Sequence, residues 1–339
     1  HGLEGIRKMA GTLKTRRPHV GTIVKPKVGL TPKEWANVAY QAFSGGLDLV
    51  KDDENLVDQD FCKWGDRVHE VMKSIDKAEK ETGQGHLYSN NITDKYSRMV
   101  ERLETLNEMG VQKNVIVMLD TYVMGMGALQ DILELCRKYG FATHGHRAGF
   151  AGPNRGNFGI NFQIYEKFYR LLGIDQLHIG TGVGKMEGAP AMIRRLHDIA
   201  NEQKIEEKMY LGSLAMEFSA HIKPMLGIAS GGVDAGKIDA LVALQGMDVN
   251  IQAGAGAHGH PGGTKAGSRS LVQAIEAVMK GIPSTQYAKT HSELALALEK
   301  WGYFKPSEIS RQIAYEENNR KKLDALALKK GREGMVLAN

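Results

Sequence analysis

The segment Leu47–Asn55 carries the residues best suited to chemistry: a short apolar strand that runs into one lysine and three carboxylates. Side chains of a strand alternate between its two faces, so Lys51 and Asp53 project to the same side. Glu54 joins them if the chain turns away from the strand at that point. Hard divalent cations such as Mg²⁺ prefer oxygen ligands, usually one or two carboxylates completed by water and substrate. The segment therefore suggests a magnesium site.

A lysine in such a ligand set needs an explanation, because an ammonium group repels a metal ion. Lys51 would fit if it formed an ion pair, or if it reacted with CO₂ to give a carbamate, which is an anionic oxygen ligand. The alternative is that the segment is a solvated run of charges after a strand. The segment alone leaves these interpretations open.

The composition is that of a globular protein with enough apolar residues for a large core, since 42% of the 339 residues are hydrophobic. The net charge of +5 comes with short basic runs near the ends and no interleaved aromatic residues, so we expect no nucleic-acid partner. Cys62 and Cys136 are too few for a disulfide framework, which favours a cytoplasmic location. No apolar run is long enough to span a bilayer, so no membrane partner is expected.

Apolar segments and helical segments alternate eight times along the chain. The predicted strands cover residues 20–24, 47–50, 86–91, 114–120, 142–147, 176–180, 227–230 and 249–253. Eight strands, each followed by a helix, predict the α/β class and a (β/α)₈ TIM barrel with appended C-terminal helices. A doubly wound sheet is the alternative, but the even count and regular spacing favour a closed barrel.

The predicted organisation has three parts. Residues 18–284 form the catalytic barrel, and residues 285–339 form a C-terminal helical extension. The sequence begins with His1 and not with methionine, so we expect residues 1–17 to be a connector from a missing upstream domain.

Polar or glycine residues follow every predicted strand, and in a barrel all these strand ends meet on the face where active sites lie. Glycines after strands seven and eight favour a phosphate site there, because they let backbone N–H groups approach an anion closely. The residues are Lys25 and Lys27, then Lys51, Asp53 and Glu54, then Asn91, Asp120, His146 and Arg147, His178, Ser230–Gly232 and Gly254–Gly256.

Several motifs resemble those of the large subunit of ribulose-1,5-bisphosphate carboxylase/oxygenase (RuBisCO), in the same order and across essentially the whole barrel. The motifs are Gly21–Leu30, Gly45–Asn55, His144–Ala148, His178–Gly188, Ser230–Gly232 and Gln252–Pro261. Gly45–Asn55 and Gly259–Pro261 are most similar to the archaeal form III and II/III branch. The resemblance implies Mg²⁺-dependent carboxylation and oxygenation of ribulose 1,5-bisphosphate through an enediolate, with 3-phosphoglycerate as the carboxylation product.

The resemblance also implies roles for the metal-binding segment. Lys51 would be carbamylated by CO₂ and would bind Mg²⁺ together with Asp53 and Glu54. The carbamate would remove the C3 proton of the sugar bisphosphate, and Mg²⁺ would stabilise the enediolate. His146 would assist proton transfer at the C3 hydroxyl. Lys25 would carry a proton at the C2 side of the substrate.

The remaining implied roles concern substrate binding and closure of the site. Lys185, in the glycine-flanked loop after strand six, would close over the substrate and stabilise the carboxylate formed at C2. Arg147 and His178 would hold one phosphate, and Arg147 suits it through its planar fork of donors. The other expected substrate-binding residues are Lys27, which would assist Lys25, Ser230 at the sugar hydroxyls, and Gly232, Gly254 and Ala255 at the second phosphate.

Each of these residues has a simpler structural interpretation. Lys27 could be a surface lysine, and Asn91 or Asp120 could only stabilise strand-end loops. Ser230 and the glycines could be turn residues. We expect three further histidines to be structural rather than catalytic: His144, His258 and His260.

Four positions depart from the family pattern. Phe150 stands where many members have histidine, and Ile179 stands where serine or threonine is usual, so both make the pocket more apolar. Ala255 interrupts a run of glycines, and Gly182 could loosen the mobile loop. These departures leave two alternatives open: a RuBisCO-like enolase or isomerase of a related sugar phosphate without carboxylation, and a non-catalytic sugar-phosphate-binding barrel. The family resemblance also implies a homodimer or a higher homo-oligomer.

Overall fold

Eight parallel strands close into a barrel in the computed structural model, which describes residues 1–154, 159–184 and 188–336. Around the barrel the strands follow chain order, and β1 pairs with β8 to close it. The predicted (β/α)₈ barrel is confirmed. The strands are β1 (His19–Ile23), β2 (Leu49–Lys51), β3 (Leu87–Asn91), β4 (Val115–Asp120), β5 (Ala142–His146), β6 (Gln176–His178), β7 (Leu226–Ser230) and β8 (Val249–Gln252).

Helices surround the barrel, and further helices follow it in the last part of the chain. They are α1 (Gly2–Met9), α2 (Pro32–Ser44), α3 (Trp64–Thr82), α4 (Tyr96–Glu108), α5 (Thr121–Met124), α6 (Met126–Tyr139), α7 (Phe162–Leu172), α8 (Pro190–Asn201), α9 (Ile238–Gln245), α10 (Ala255–His258), α11 (Gly263–Met279), α12 (Ser284–Tyr287), α13 (Ser292–Trp301) and α14 (Pro306–Val336). A short antiparallel hairpin, Lys204–Ile205 with Met216–Glu217, follows α8. Across the described ranges, no helix has both the length and the apolarity needed to cross a membrane.

The amino-terminal end of the barrel is closed by α1. Leu3, Ile6 and Ala10 form one apolar cluster with side chains from the first half of five strands, namely Leu49, Leu87, Ile116, Ala142 and Leu226. This cluster fills the end of the barrel opposite the carboxyl ends of the strands, where active sites of such barrels lie.

Local sequence explains where several elements begin and end. α2 starts with a capping box, in which the Thr31 hydroxyl accepts a hydrogen bond from the Glu34 backbone and the Glu34 carboxylate accepts one from the Thr31 backbone. α3 begins at Trp64, whose backbone N–H donates a hydrogen bond of 2.9 Å to the Asp58 carboxylate. Residues 52–63 form a loop, and its first three residues are the carboxylates that follow β2, Asp52, Asp53 and Glu54.

Candidate active site

The polar residues that follow the strands lie around the carboxyl-terminal end of the barrel. Lys51 ends β2, Asp120 ends β4, His146 ends β5, His178 ends β6 and Ser230 ends β7. Parallel strands of a barrel finish on one face, so their last inward-facing side chains enter the same space. The strand register pairs Asp120 with His146 across β4 and β5.

Lys51 is almost completely buried beneath this face, with 1% of its surface exposed. Its Nζ donates a hydrogen bond of 2.7 Å to the main-chain oxygen of Asp52 and lies 3.9 Å from Oε2 of Glu54. Burial lowers the pKa of Lys51, although the negative charges of Glu54 and Asp53 act in the opposite direction. A larger fraction of Lys51 is therefore in the neutral, nucleophilic amine form than at an exposed lysine.

Two carboxylates lie close to this amine. Oδ2 of the buried Asp53 accepts a hydrogen bond of 2.7 Å from Nζ of Lys25, and Oδ1 accepts hydrogen bonds from the backbone and side chain of Asn55. Burial alone would raise the pKa of Asp53, but the Lys25 and Asn55 interactions outweigh it and lower the pKa. Glu54 is partly exposed, with 32% of its side chain accessible. Asp53 is therefore held in its ionised form, while Glu54 faces the open side of the site.

His146 lies between two carboxylates. Its Nδ1 is 2.6 Å from Oδ1 of Asp120, and its Nε2 is 3.6 Å from Oε2 of Glu54. A carboxylate at Nδ1 favours the tautomer that carries its proton on that nitrogen and leaves Nε2 free to accept one. Asn91, at the end of β3, donates from its side chain to the main-chain oxygen of Glu54 at 3.2 Å. Asn91 and Asp120 thus contact Glu54 and His146, for which the family resemblance implies roles in metal binding and proton transfer.

Three histidine rings pack against one another from the barrel interior up to the site, one pair edge-to-face and the other tilted. The His178 ring centroid is 4.7 Å from that of His146 and 4.9 Å from that of the deeper His144. Nδ1 of His178 is 2.7 Å from the Ser230 hydroxyl, and Nδ1 of His144 is 2.9 Å from the Ser89 hydroxyl. Burial, reinforced by nearby positive charge, lowers the pKa of both His178 and His144 well below the ordinary value. His178 therefore offers a neutral, polar ring to a ligand.

Arg147 lies against an apolar wall. Its guanidinium sits 4.6 Å above the ring of Phe162, and Phe150 packs against the same ring at a centroid distance of 4.6 Å. Burial lowers the pKa of Arg147 to about 10, and the charge of Glu166 opposes this shift. Phe150, which differs from the family pattern, is thus part of the apolar wall behind Arg147. Ile179, which also differs from that pattern, is fully buried.

Glycine-rich turns follow β7 and β8. Gly232 adopts φ +72°, a left-handed conformation that glycine accepts readily, and its carbonyl accepts a hydrogen bond of 2.7 Å from Lys237. Gly254 immediately precedes α10, whose first residue is Ala255. A Cβ on Gly184 would overlap the carbonyl of Gly231, so the loop after β6 approaches the turn after β7 closely.

The other predicted residues fall elsewhere. Lys27 is exposed on the loop after β1, and Lys185 lies outside the described residues. Nε2 of His258 is 3.0 Å from the main-chain oxygen of Ile23, and Nε2 of His260 is 2.9 Å from that of Glu293. Asn55, the last residue of the Gly45–Asn55 motif, was given no role from the sequence, and its contacts to Asp53 depend on the turn after β2.

Comparisons with known proteins agree with this geometry. Residues 5–301 match the family described as "Ribulose bisphosphate carboxylase large chain, catalytic domain". The chain is 44% identical over 305 residues to the ribulose bisphosphate carboxylase of Methanocaldococcus jannaschii, and the alignment covers 88% of this chain and 69% of that protein.

Solved structures are similar over the same region. A crystal structure of an archaeal RuBisCO is 41% identical and gives a TM-score of 0.84, covering 90% of this chain and 70% of the other. A dimeric archaeal Rubisco from Hyperthermus butylicus is 40% identical and gives a TM-score of 0.82, covering 89% of this chain and 69% of the other. The resemblance predicted from the sequence motifs is confirmed.

Proposed function

This chain belongs to the ribulose bisphosphate carboxylase large-chain family, and on that premise we propose that it carboxylates and oxygenates ribulose 1,5-bisphosphate. The observation that carries the proposal is the buried Lys51 amine beside the carboxylates of Asp53 and Glu54, on the face where His146 and His178 also lie. The sequence of that segment, its burial and its contacts all support an activated lysine.

The donor set fits Mg²⁺ only if Lys51 is modified. In the described part of the chain, no cluster of three or more His, Cys, Asp or Glu side chains could hold a metal ion. Asp53 and Glu54 supply two hard oxygen donors, and a carbamate on Lys51 would supply a third. The lowered pKa of Lys51 favours this reaction, in which neutral Nζ bonds to the carbon of CO₂ and releases one proton. When bound, Mg²⁺ would stabilise negative charge on the sugar oxygens.

We assign the proton transfers to residues around this segment. The carbamate of Lys51 would accept the C3 proton of the sugar, which produces the enediolate. His146, oriented by Asp120, would move the proton of the C3 hydroxyl through its free Nε2. Lys25, which forms an ion pair with Asp53, would transfer the proton at the C2 side.

We assign substrate binding to the remaining strand ends. Arg147 and His178 would hold one phosphate, and the exposed Lys27 would assist Lys25. Lys185 would stabilise the new carboxylate at C2, an assignment that rests on its sequence motif alone. Ser230 would contact the sugar hydroxyls, and the second phosphate would lie against the turns at Gly232, Gly254 and Ala255, whose backbone N–H groups would bind it.

The proposal extends to assembly and location. The similar protein from Hyperthermus butylicus is dimeric, and we infer that this chain also forms at least a homodimer. Cys62 and Cys136 are both buried free thiols, which is compatible with a reducing cytoplasm.

The test follows ribulose 1,5-bisphosphate by NMR in D₂O, with Mg²⁺ and ¹³C-labelled bicarbonate. We expect labelled 3-phosphoglycerate from the native chain and from Lys63→Ala, a half-exposed lysine on the same loop. Lys51→Ala should lose the product by a factor of about 100 or more. Exchange of the C3 proton without product would contradict carboxylation and favour the enolase or isomerase alternative. Binding of the bisphosphate with neither signal would favour the non-catalytic barrel.

A further inference from the structure

Asp52 stands between two proposed metal ligands but points away from them, into a fully buried polar cluster behind the site. Its carboxylate accepts hydrogen bonds from the Arg67 guanidinium at 3.0 Å, the Tyr88 hydroxyl at 2.9 Å and the Asn90 side chain at 3.0 Å. It also accepts one from the Asn91 backbone at 2.9 Å. We call these five residues the Asp52 network.

The Asp52 network joins the two ends of the metal-binding loop to the barrel. Arg67, at the start of α3, also donates to the main-chain oxygens of Val57 at 2.8 Å and Cys62 at 3.2 Å. Tyr88 and Asn90 belong to β3, so the network connects the end of β2, residues 52–62, α3 and β3. Residues 52–62 are therefore held in place by buried contacts on the side that faces α3 and β3, away from the face with His146 and His178.

The backbone of Asp52 transmits this constraint to its neighbours. Its N–H donates to the main-chain oxygen of Ser89 at 3.0 Å, and its main-chain oxygen accepts the 2.7 Å hydrogen bond from Nζ of Lys51. Asn91, whose N–H binds the Asp52 carboxylate, donates from its side chain to the carbonyl of Glu54. Every polar group of Asp52 thus has a partner, and the peptide planes that orient the metal-binding segment depend on them.

A role in net stability alone is a weak explanation for this arrangement. A buried ion pair loses the hydration of both charges, and replacing it with apolar residues often costs little or increases stability. A closed hydrogen-bond network, in contrast, restricts side chains and backbone to one geometry. A preorganised ligand set binds its metal more tightly because less conformational freedom is lost on binding.

We propose that Asp52 is a positioning residue, which acts through Arg67, Tyr88, Asn90 and Asn91 to hold the Lys51–Glu54 segment ready for a divalent cation. The inference rests on the proposed function only in assigning the metal to that segment. It extends the set of functional residues to a cluster that touches neither substrate nor metal.

The test measures Mn²⁺ binding by electron paramagnetic resonance in CO₂-saturated buffer without any sugar. Tyr88→Phe removes one donor to Asp52 and leaves the Arg67 ion pair intact, so the chain should still fold. We expect the Mn²⁺ dissociation constant to rise about threefold to tenfold. Asp52→Asn, which removes the charge, should raise it further.

The chain offers a matched control. The Tyr303 hydroxyl donates a hydrogen bond of 2.8 Å to the buried carboxylate of Asp239, in a cluster with Ser284. Tyr303→Phe should lower the thermal midpoint to a similar extent but leave Mn²⁺ affinity unchanged. Equal Mn²⁺ affinities for Tyr88→Phe and the native chain, or an equal loss in Tyr303→Phe, would overturn the inference. A native chain that binds Mn²⁺ without forming 3-phosphoglycerate would contradict the proposed function and leave the inference intact.

Discussion

The proposed chemistry of single residues depends on neighbours that are distant in sequence. Asp120 and His146 are 26 positions apart, yet Nδ1 of the histidine lies 2.6 Å from the carboxylate. Lys25 and Asp53 are 28 positions apart and form an ion pair of 2.7 Å. In both pairs a carboxylate holds the position of the side chain that would move a proton. A role for either histidine or lysine therefore has to be argued together with its carboxylate.

Asp120→Asn tests this coupling at His146. The amide can donate to Nδ1, which would favour the wrong tautomer and place the proton on Nε2. We expect kcat to fall about 10- to 100-fold, with little change in KM for the sugar bisphosphate or in the thermal midpoint.

The control is Asp60→Asn, because that carboxylate is fully exposed and forms an ion pair with the half-exposed Lys63. Steady-state kinetics should be the same for this variant and the native chain. An Asp120→Asn variant that keeps full kcat would show that the orientation of His146 has no part in catalysis.

Among the helices and strands, the site depends on the apolar cluster of Leu3, Ile6 and Ala10 with the strand residues at the amino-terminal end of the barrel, which we call the apolar plug. α1 places Leu3 and Ile6 against side chains from the first half of the strands, including Leu49 and Leu87. Two residues after Leu49 the same strand ends in Lys51. A strand only three residues long therefore joins the apolar plug to the proposed metal site, and packing below the strand supports the geometry above it.

Ile6→Ala tests the plug. Ile6 is completely buried, so the substitution removes buried methylene groups and leaves a cavity at the end of the barrel. We expect the free energy of unfolding to fall by about 2 to 5 kcal/mol. Ile160→Ala, at a position that is 41% exposed, should change it by less than about 0.5 kcal/mol. Denaturant titrations compare the two, and similar losses would mean that α1 does not close the core.

At the scale of the whole molecule, pH should change stability through histidines that are buried in their neutral form. His19 begins β1, is 2% exposed and contacts the Thr12 hydroxyl. Burial lowers its pKa from 6.5 to about 4. Between these values the unfolded chain binds more protons at this position than the folded chain does. Stability therefore falls as the pH decreases from 6.5 toward 4 and is retained above 6.5.

Comparison of the native chain with His19→Gln isolates this effect from the titration of carboxylates. Between pH 7 and pH 4.5 we expect the native chain to lose about 2 to 3 kcal/mol more of its unfolding free energy than the variant does. Urea titrations at both pH values give the difference. Parallel losses in the two proteins would show that His19 is not held neutral by burial.

The barrel, its strand order and the family could all be predicted from the order of the amino acids. Apolar segments of strand length, separated by helices, leave few ways to bury both faces of each strand, and polar residues at the strand ends follow from that arrangement. The shared face of Lys51 and Asp53 could also be predicted, because the alternation of side chains along a strand is a local property. The start of α3 is less predictable, because the backbone N–H of its first residue, Trp64, is satisfied by the Asp58 carboxylate six residues earlier.

The partners and the environment of the polar residues, in contrast, follow from how the chain packs in three dimensions. It separates Asp52 from Asp53, two identical side chains in sequence, by directing one to Arg67 behind the site and the other to Lys25 in front of it. It also buries Lys51 enough to lower its pKa. These outcomes depend on burial and on contacts between distant segments, and neither is encoded in the order of residues along one strand. Patterning specifies which face a side chain occupies, whereas packing specifies its charge, its partner and its role.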